Sequence, residues 1–460
     1  MLLYTGLILT ALLGYSLLNL ISRKFSWVEK LGLSFLLGIA LQTLLMLIMD
    51  AIYIPLTATS TMIGEVALLL LLNIPTLLHS KEIIAEIKKP SSGCCKPSSF
   101  NLVWLLFVGL TVYFEYMNFS KCLYFPTFDR DSLAGFETIG YIVAQEHTLR
   151  GLSLFQGDYM PGVHGPGSYI TYAPMVQLSY AYVYLLGATT SKLIPGLVYL
   201  FFLIAFYGCT SRIAGKMGAA IITFFVLITP EMMSFSSLSM TNVIHAVYAS
   251  LGVIYLTLWL KEREQKDLWL GSALLGANMW CRTEGIVFIG AVLCVMLVDA
   301  IRKKQYKSLI ICTAISLLPA LLWVIFMKIY GLYAEGIAII TPFYDSEKIN
   351  IIWTYMKDHW TNTTFYGWSF VAFALSLLVN AWFLIKKRDN SYLLIIILLA
   401  SVFYMIVLYQ IDYKWDSIQN VLAYSAKRFM FCFIPLLWYF VATNQTSVYL
   451  FKRLEKYLAI

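Results

Sequence analysis

Runs of about 20 apolar residues recur along the whole chain, and they constrain the fold more than any other feature of the sequence. The first is LLYTGLILTALLGYSLLNLI, residues 2–21. A segment that spans lipid must pair all of its backbone polar groups, which only α-helices and closed β-barrels can do. Barrel strands alternate apolar and polar residues, whereas these runs are continuous. The sequence therefore predicts an all-α polytopic membrane protein.

The composition agrees with this fold class. Hydrophobic residues make up 60% of the 460 positions and charged residues 13%, against about 25% charged in soluble domains. A net charge of +8 would suggest a nucleic-acid partner in a soluble protein, but membrane proteins collect Lys and Arg in their cytoplasmic loops. We therefore expect membrane lipids, and no nucleic acid, among the partners. The cysteines show no spacing typical of a metal site.

Basic clusters between the apolar runs give the orientation, because cytoplasmic loops are enriched in Lys and Arg. They predict that the segments 121–168, 231–239, 333–365 and 412–426 lie outside. Between residues 169 and 211 there are two apolar segments where this orientation allows one crossing, so one segment is re-entrant or interfacial, unless Arg212 faces outward. We expect about 13 spans. The candidate spans are residues 2–21, 31–50, 60–79, 101–120, 169–187, 190–211, 217–230, 240–260, 268–282, 285–300, 307–332, 366–385, 391–411 and 427–443.

This pattern predicts four regions along the chain. Amino-terminal transmembrane helices (1–120) precede a first long outer loop (121–168), a transmembrane core (169–443) and a cytoplasmic amphipathic tail (444–460). Residues 2–21 are expected to form a retained helix, because they lack a charged start and a small-residue cleavage site.

The first outer loop concentrates charge in a chain that otherwise has little. The stretch CLYFPTFDRDSLAGFETIGYIVAQEHTLRG, residues 122–151, carries Asp129, Arg130, Asp131, Glu137, Glu146, His147 and Arg150. From Asp131 onward, apolar residues recur near helical spacing, which predicts an amphipathic helix along the membrane surface. The two aspartates are either part of a solvated loop or a catalytic base with its neighbour.

Five motifs follow one another in the order seen in one family of membrane enzymes. They are the acidic DRD of 129–131, TYAPMVQLSYAYVYLLG, SRIAGKMGAAIITFFVLITPEM, NMWCRTEGIVF and AKRFMFCFIPLLWYF. Over about residues 120 to 440 the chain resembles the GT-C superfamily of membrane glycosyltransferases. That superfamily includes protein O-mannosyltransferases, the aminoarabinose transferases of lipid A and the catalytic subunits of oligosaccharyltransferase.

The resemblance implies a bundle of GT-C type with helices and loops on its outer face. It also implies transfer of a sugar from a polyprenyl-phosphate-type lipid donor to a glycan, lipid or protein acceptor on the outer side of the membrane. We expect a multi-pass protein of a bacterial inner (plasma) membrane. The family's loop acid acts as base or metal ligand, a role that falls here on Asp129 or Asp131, with a slight preference for Asp129.

The donor phosphate requires cations near the outer face. The candidates are Arg282, Lys414, Lys427 and Arg428. Arg282 and Glu284 interrupt an apolar stretch, where charged residues are expensive and usually functional, although a buried pair that only fixes a helix break is the alternative. The further candidates for the site are Arg130, Glu137, Glu146, His147, His164, Tyr172, Glu231 and Glu284.

The chain also departs from the family pattern. Arg130 separates two acids that are usually adjacent, and Asn242 stands where many relatives have a second acid. A divalent metal needs several oxygen ligands, and only Asp129, Asp131 and Glu231 are ready candidates. We therefore expect a metal-independent mechanism, with a divalent metal as the alternative. A transporter or flippase of lipid-linked glycans would be expected to show repeated halves, which are not seen. A polymerase or ligase of surface polysaccharide would be expected to carry an Arg-rich late loop, but residues 333–365 contain no Arg.

Overall fold

The computed structural model describes residues 1–78, 101–153, 169, 172–332, 338–340, 343–413 and 417–458. Within these ranges the chain is built almost entirely of helices, which confirms the predicted fold class. The long helices are α1 (Leu2–Ile21), α2 (Trp27–Ala51), α3 (Ala58–Leu78), α4 (Leu102–Tyr124), α7 (Leu193–Leu227), α9 (Asn242–Glu262), α10 (Gln265–Cys281), α11 (Ile286–Lys303), α12 (Lys307–Tyr330), α17 (Ser391–Gln410) and α18 (Ile418–Thr443). The shorter helices are α5 (Glu137–Glu146), α6 (Met175–Leu185), α8 (Pro230–Phe235), α13 (Ser346–Thr361), α14 (Thr363–Tyr366), α15 (Ser369–Val379), α16 (Ala381–Lys387) and α19 (Gln445–Leu458).

Ten helices in the described ranges are long and apolar enough to cross a membrane, and the bent pair α15–α16, with 58° between its halves, makes eleven. Burial differs sharply among them. The most apolar window of α9 is 100% buried, whereas those of α3 and α4 are 11% buried. The protein is therefore a multi-pass membrane protein in which α9 lies at the centre and α3 and α4 lie at the periphery.

Contacts between helix ends divide the bundle into two ends. At one end, Arg150 lies 3.2 Å from Asp50, and the Tyr330 hydroxyl donates to the Ala51 carbonyl at 2.7 Å. This end carries the first long loop and is called the loop end. At the opposite end, called the basic end, Arg263 lies 2.7 Å from Asp299, close to the basic residues at the end of α11.

Helix α7 is a hairpin because Gly215 reverses the chain. Gly215 has φ 75° and ψ 173°, a conformation that is essentially restricted to glycine. The Tyr199 hydroxyl in the first arm donates to the Val226 carbonyl in the second arm at 3.4 Å, so the arms run antiparallel. Helix α10 also joins the two ends of the bundle.

Helix α6 shows that the predicted span at 169–187 is wrong. It has 11 residues, too few to cross a bilayer, and both of its ends lie at the loop end. Tyr169, which precedes it, contacts the first loop, and the Lys192 ammonium, which follows it, donates to the Phe125 carbonyl at 2.7 Å. Arg212 then lies at the basic end, opposite the first long loop. This agrees with the alternative in which one of the two apolar segments between residues 169 and 211 does not cross the membrane. A hydropathy pattern cannot separate α6 from a span, because it is buried in protein rather than in lipid.

The predicted helix of the first loop is present, but its apolar face packs on protein. A π-helical turn, Ser132–Phe136, leads into α5. Phe136, Ile139 and Val143 are buried, and the Gly140 backbone lies so close to α6 that a Cβ there would come within 2.7 Å of Tyr180. The expectation that this face rests on the membrane surface is therefore wrong. Instead, the apolar face of α5 packs against α6.

The later loops at the loop end are joined to each other. Strand β1 (Ala338–Ile340) pairs antiparallel with β2 (Ile411–Tyr413), with Ile339 opposite Asp412. In addition, the Tyr366 hydroxyl donates to the Lys427 carbonyl at 2.9 Å. At the basic end, the tail forms α19, and Glu455 accepts a hydrogen bond from the Met217 backbone N–H at 3.2 Å, beside the turn of α7.

Candidate functional site

The first loop meets α18 through an ion pair between Asp131 and Arg428. Asp131 also accepts a hydrogen bond from the Tyr169 hydroxyl at 3.0 Å. Each partner of the ion pair adjoins a π-helical turn, Ser132–Phe136 in the first loop and Leu422–Ala426 in α18. Such turns widen a helix locally and occur frequently at functional sites. The ion pair therefore joins two distant segments that each contain a π-helical turn close to the contact.

A second ion pair joins the neighbouring residue to α8. The Lys427 ammonium lies 2.5 Å from the Glu231 carboxylate and 4.0 Å from the centroid of the Phe365 ring. Glu231 belongs to the first turn of α8, which begins at Pro230, a residue whose fixed φ suits that position. Lys427 and Glu231, both candidates from the sequence, are thus in direct contact, and the Lys427 ammonium also lies close to an aromatic ring.

The third ion pair lies at the turn between α10 and α11. Arg282 ends α10 in an extended conformation, and its guanidinium contacts Glu284 at 2.5 Å and 3.2 Å. The same guanidinium donates to the Thr241 hydroxyl at 3.1 Å and lies 5.2 Å from the Tyr172 ring. The turn therefore presents a charged pair at the loop end of the bundle.

Three aromatic rings connect the first and third pairs. Tyr169 and Tyr172 are stacked with centroids 6.4 Å apart, and Phe136 meets both edge-on at 5.2 Å and 5.4 Å. Burial raises the pKa of Tyr169 well above its usual range, and the Asp131 carboxylate beside it raises that pKa further. The Tyr169 hydroxyl therefore stays protonated and donates to Asp131.

We call the three pairs Asp131–Arg428, Glu231–Lys427 and Glu284–Arg282 the loop-end cluster. Its side chains keep 16–25% of their surface exposed, so they are partly desolvated but within reach of a ligand. Each guanidinium has five N–H donors, and one carboxylate uses at most two or three of them. The cluster can therefore bind an additional anion.

Asp129 occupies a different position from Asp131. One of its carboxylate oxygens accepts the Ser132 backbone N–H at 2.8 Å, and the other is buried with no hydrogen-bond partner among the described residues. Glu137 faces the same side of the loop and accepts the Tyr184 hydroxyl at 2.6 Å. The slight preference for Asp129 over Asp131 therefore has no support from this geometry, in which Asp129 caps the π-helical turn.

The remaining candidates of the first loop take no part in the three ion pairs of the cluster. Arg130 is exposed, and Glu146 accepts the Ser153 backbone N–H at 3.0 Å. His147 ends α5 in a left-handed conformation, and its Nδ1 lies 3.0 Å from the Leu56 carbonyl, near the end of α2. Glu146 and His147 therefore bond elsewhere, whereas Arg130 stays close enough to Tyr169 to act on it electrostatically. His164 and Lys414 lie outside the described residues.

Sequence reasoning did not identify Tyr169, Thr241 or Phe365 as part of the site. Each is a common residue type in a segment without a distinctive motif, and each becomes relevant through a partner that is far away in the chain. No local signal identifies them, since Tyr169 and Asp131 are 38 positions apart and Thr241 and Arg282 are 41 apart.

No group of three or more His, Cys, Asp or Glu side chains with metal-ligand geometry occurs in the described ranges. The chain was also compared with known proteins. No protein-family model, no curated protein and no solved structure matches it.

Proposed function

We propose that this protein is a glycosyltransferase that moves a sugar from a polyprenyl-phosphate-type lipid donor to an acceptor on the outer face of the membrane. The observation that supports the proposal best is the loop-end cluster. Three of the motifs that resemble the GT-C superfamily, DRD, RTEG and KRF, contribute Asp131, Arg282 with Glu284, and Lys427 with Arg428. Residues chosen by that resemblance are therefore neighbours at one end of the bundle.

In this proposal Arg428 and Arg282 bind the donor phosphate. They flank the Tyr169–Tyr172 stack, and each is paired with one carboxylate. A guanidinium matches phosphate geometry and has donors to spare beyond its ion pair. The lipid chain would remain in the bilayer beside the peripheral helices, so the phosphate would enter from the membrane and the sugar would project into the cluster.

Asp131 is the proposed base. The acceptor hydroxyl attacks the anomeric carbon from the face opposite the phosphate, the bond from that carbon to the phosphate oxygen breaks, and the hydroxyl proton passes to the carboxylate. The lipid phosphate leaves with the electron pair of the broken bond. Asp131 keeps 24% of its side chain exposed and is oriented by Arg428 and Tyr169, whereas the free oxygen of Asp129 is buried. A base within hydrogen-bond reach contributes about 10²- to 10⁴-fold to the rate.

The test compares Asp131→Asn with the matched variant Asp129→Asn in purified protein. The substrates are a panel of labelled polyprenyl-phosphate sugars, with glycan, lipid and peptide acceptors. Asp131→Asn should lower the transfer rate about 10²- to 10⁴-fold, because an amide cannot accept the proton. Asp129→Asn should retain transfer, because Asn caps a helical turn as well as Asp does.

Other outcomes would change the proposal in defined ways. Normal transfer by Asp131→Asn would exclude this carboxylate as the base. Loss of transfer in Asp129→Asn alone would return the role to Asp129. In sealed vesicles, labelled lipid-linked sugar that crosses the membrane without forming a new glycosidic bond would instead indicate a transporter.

A further inference from the structure

Helix α19 lies along the basic end of the bundle and joins two of its turns. Its first residue, Gln445, donates its backbone N–H to the Asp389 carboxylate in the turn between α16 and α17 at 2.7 Å. Glu455, near its other end, accepts the Met217 backbone N–H in the turn of α7 at 3.2 Å. The helix has 14 residues, too few to cross a bilayer. Because both of its ends are held at turns of the same end, it lies across that end.

One side of α19 packs on the turn of α7. The Phe451 ring lies against Gly218, where a Cβ would come within 2.7 Å of the ring. One helical turn later, the Glu455 carboxylate lies so close to Gly215 that a Cβ there would come within 3.0 Å of it. Phe451 and Glu455 are accordingly only partly exposed. These two side chains define the side of the helix that faces the bundle.

The rest of α19 divides into an apolar face and a basic face. Successive residues of an α-helix are rotated by about 100° around its axis. This rotation places the exposed apolar side chains on one flank of the bundle contact, within an arc of about 100°, and the exposed cations on the other flank, within an arc of similar width. The apolar face consists of Leu450 (50% exposed), Leu454 (45%), Tyr457 (74%) and Leu458 (36%), and the basic face carries Lys452, Arg453 and Lys456.

The positive charge of the basic face is not balanced by the protein. Within the described residues, none of its three cations forms an ion pair. The nearest carboxylate on the helix itself, Glu455, is already bound to the turn of α7. Both turns that hold α19 add further exposed cations, which are Lys216 in the turn of α7 and Lys386, Lys387 and Arg388 beside the start of the helix. This surface is therefore complementary to an anionic partner.

The combination of the two faces identifies the kind of partner. A helix with an apolar face and a Lys- and Arg-rich face lies in the membrane interface, with its apolar side chains at the boundary of headgroups and acyl chains. Helix α18, which is apolar and long enough to cross a membrane, ends at Thr443, just before α19 begins. A second copy of the chain fits less well. Symmetric pairing would set the same patch against itself and bring the two basic faces together, which like charges oppose.

We propose that α19 inserts its apolar face into the leaflet at the basic end and binds anionic phospholipid headgroups through Lys452, Arg453 and Lys456. Each such cation near an anionic membrane surface favours binding about 5-fold. The inference does not depend on the proposed function, because it concerns the end of the bundle opposite the loop-end cluster.

The first measurement tests insertion of the apolar face. A full-length chain without native cysteines is placed in lipid nanodiscs of phosphatidylcholine and phosphatidylglycerol, with an environment-sensitive fluorophore on Leu454→Cys. The matched control carries the fluorophore on Tyr449→Cys, because Tyr449 is 64% exposed and lies on the flank of the basic face. Phospholipids with a nitroxide on the acyl chain should quench the probe at 454 strongly and the probe at 449 weakly. Iodide in the buffer should show the reverse order.

The second measurement tests the choice of headgroup. The nitroxide is carried either by phosphatidylglycerol alone or by phosphatidylcholine alone, in nanodiscs of the same overall composition. Nitroxide-labelled phosphatidylglycerol should quench the probe at 454 more, with an enrichment of about 5-fold if one cation makes its usual contribution. The variant Lys452→Gln/Arg453→Gln/Lys456→Gln should lose this preference. The control Arg302→Gln/Lys304→Gln/Lys307→Gln should keep it, because it removes three exposed cations from another turn of the same end.

Several results would overturn the inference. Equal access of iodide to the probes at 454 and 449 would show that the apolar face is in water. Shielding of the probe at 454 from both iodide and nitroxide lipids would show that protein, such as a second copy, covers this face. Equal quenching by the two labelled lipids would remove the headgroup site, and an equal loss of preference in both triple variants would reduce it to the general charge of the basic end. Both triple variants change exposed side chains, so an unchanged melting temperature verifies that each is folded.

Discussion

The two ends of the bundle both carry arginine and carboxylate side chains, but they use them differently. At the basic end, Arg212 alone contacts three carboxylates: Asp267 and Glu262 at 2.9 Å and Glu29 at 3.6 Å. We call this set the basic-end network. In the loop-end cluster, three cations contact one carboxylate each. The same residue types therefore form a closed network at one end and separate pairs at the other.

Exposure sharpens the difference. In the basic-end network the Asp267 side chain is completely buried and Glu29 is 3% exposed, whereas the carboxylates of the loop-end cluster are 16–25% exposed. Glu29 also accepts the Tyr255 hydroxyl and caps the start of α2. A cation that is shared by several buried carboxylates has few donors left, and it ties α2, α7 and α10 together. The basic-end network is therefore a structural element, whereas the loop-end cluster keeps surface that a ligand can reach.

The largest expected effect concerns which end faces outward. In a background without native cysteines, Ser346→Cys in the outer segment 333–365 should react with a membrane-impermeant maleimide in intact cells, and Lys304→Cys at the basic end should not. The reason is that Lys and Arg collect on the cytoplasmic side. Labelling of residue 304 without residue 346 would invert the orientation and place the loop-end cluster inside the cell.

The second largest effect should be on stability, at the basic end. Arg212→Ala leaves Asp267 and Glu29 buried without their cation, and removing one partner of a buried ion pair typically costs about 3–5 kcal/mol. We expect a clear fall in the midpoint of denaturant unfolding in detergent micelles. Arg428→Ala is the matched control at the loop end, and an equal loss of stability in both variants would contradict the comparison.

The smallest of these effects should be on donor affinity, at the loop end. Arg428→Ala should raise the donor KM about 10- to 150-fold, which corresponds to the loss of one charge-assisted contact of about 1.5–3 kcal/mol. Arg428→Lys keeps the charge but loses the forked geometry, so its KM should lie between those of the alanine variant and the wild type. An unchanged KM in Arg428→Ala, measured with polyprenyl-phosphate sugars, would remove Arg428 from the phosphate site.

Much of the fold could be predicted from local patterns. The long apolar runs and the helix after Asp131 follow from composition and period. The span at 169–187 could not be excluded, because an apolar helix buried in protein has the same composition as one buried in lipid. For the same reason the first-loop helix was expected on the membrane surface, although its apolar residues pack against α6.

For the site, the sequence by itself determined which residues are chemically unusual: charges at the ends of apolar runs, and an Arg and a Glu inside one. Only the tertiary structure decided which of them meet. Asp131 and Arg428 are 297 positions apart, whereas Asp129, two residues from Asp131, caps a turn instead. The helical period and the composition of a segment predict only the surroundings of a residue within a few turns of its own helix. The distance between Asp131 and Arg428 depends on how α5, α6, α9 and α18 pack, and that packing is a property of many side chains at once.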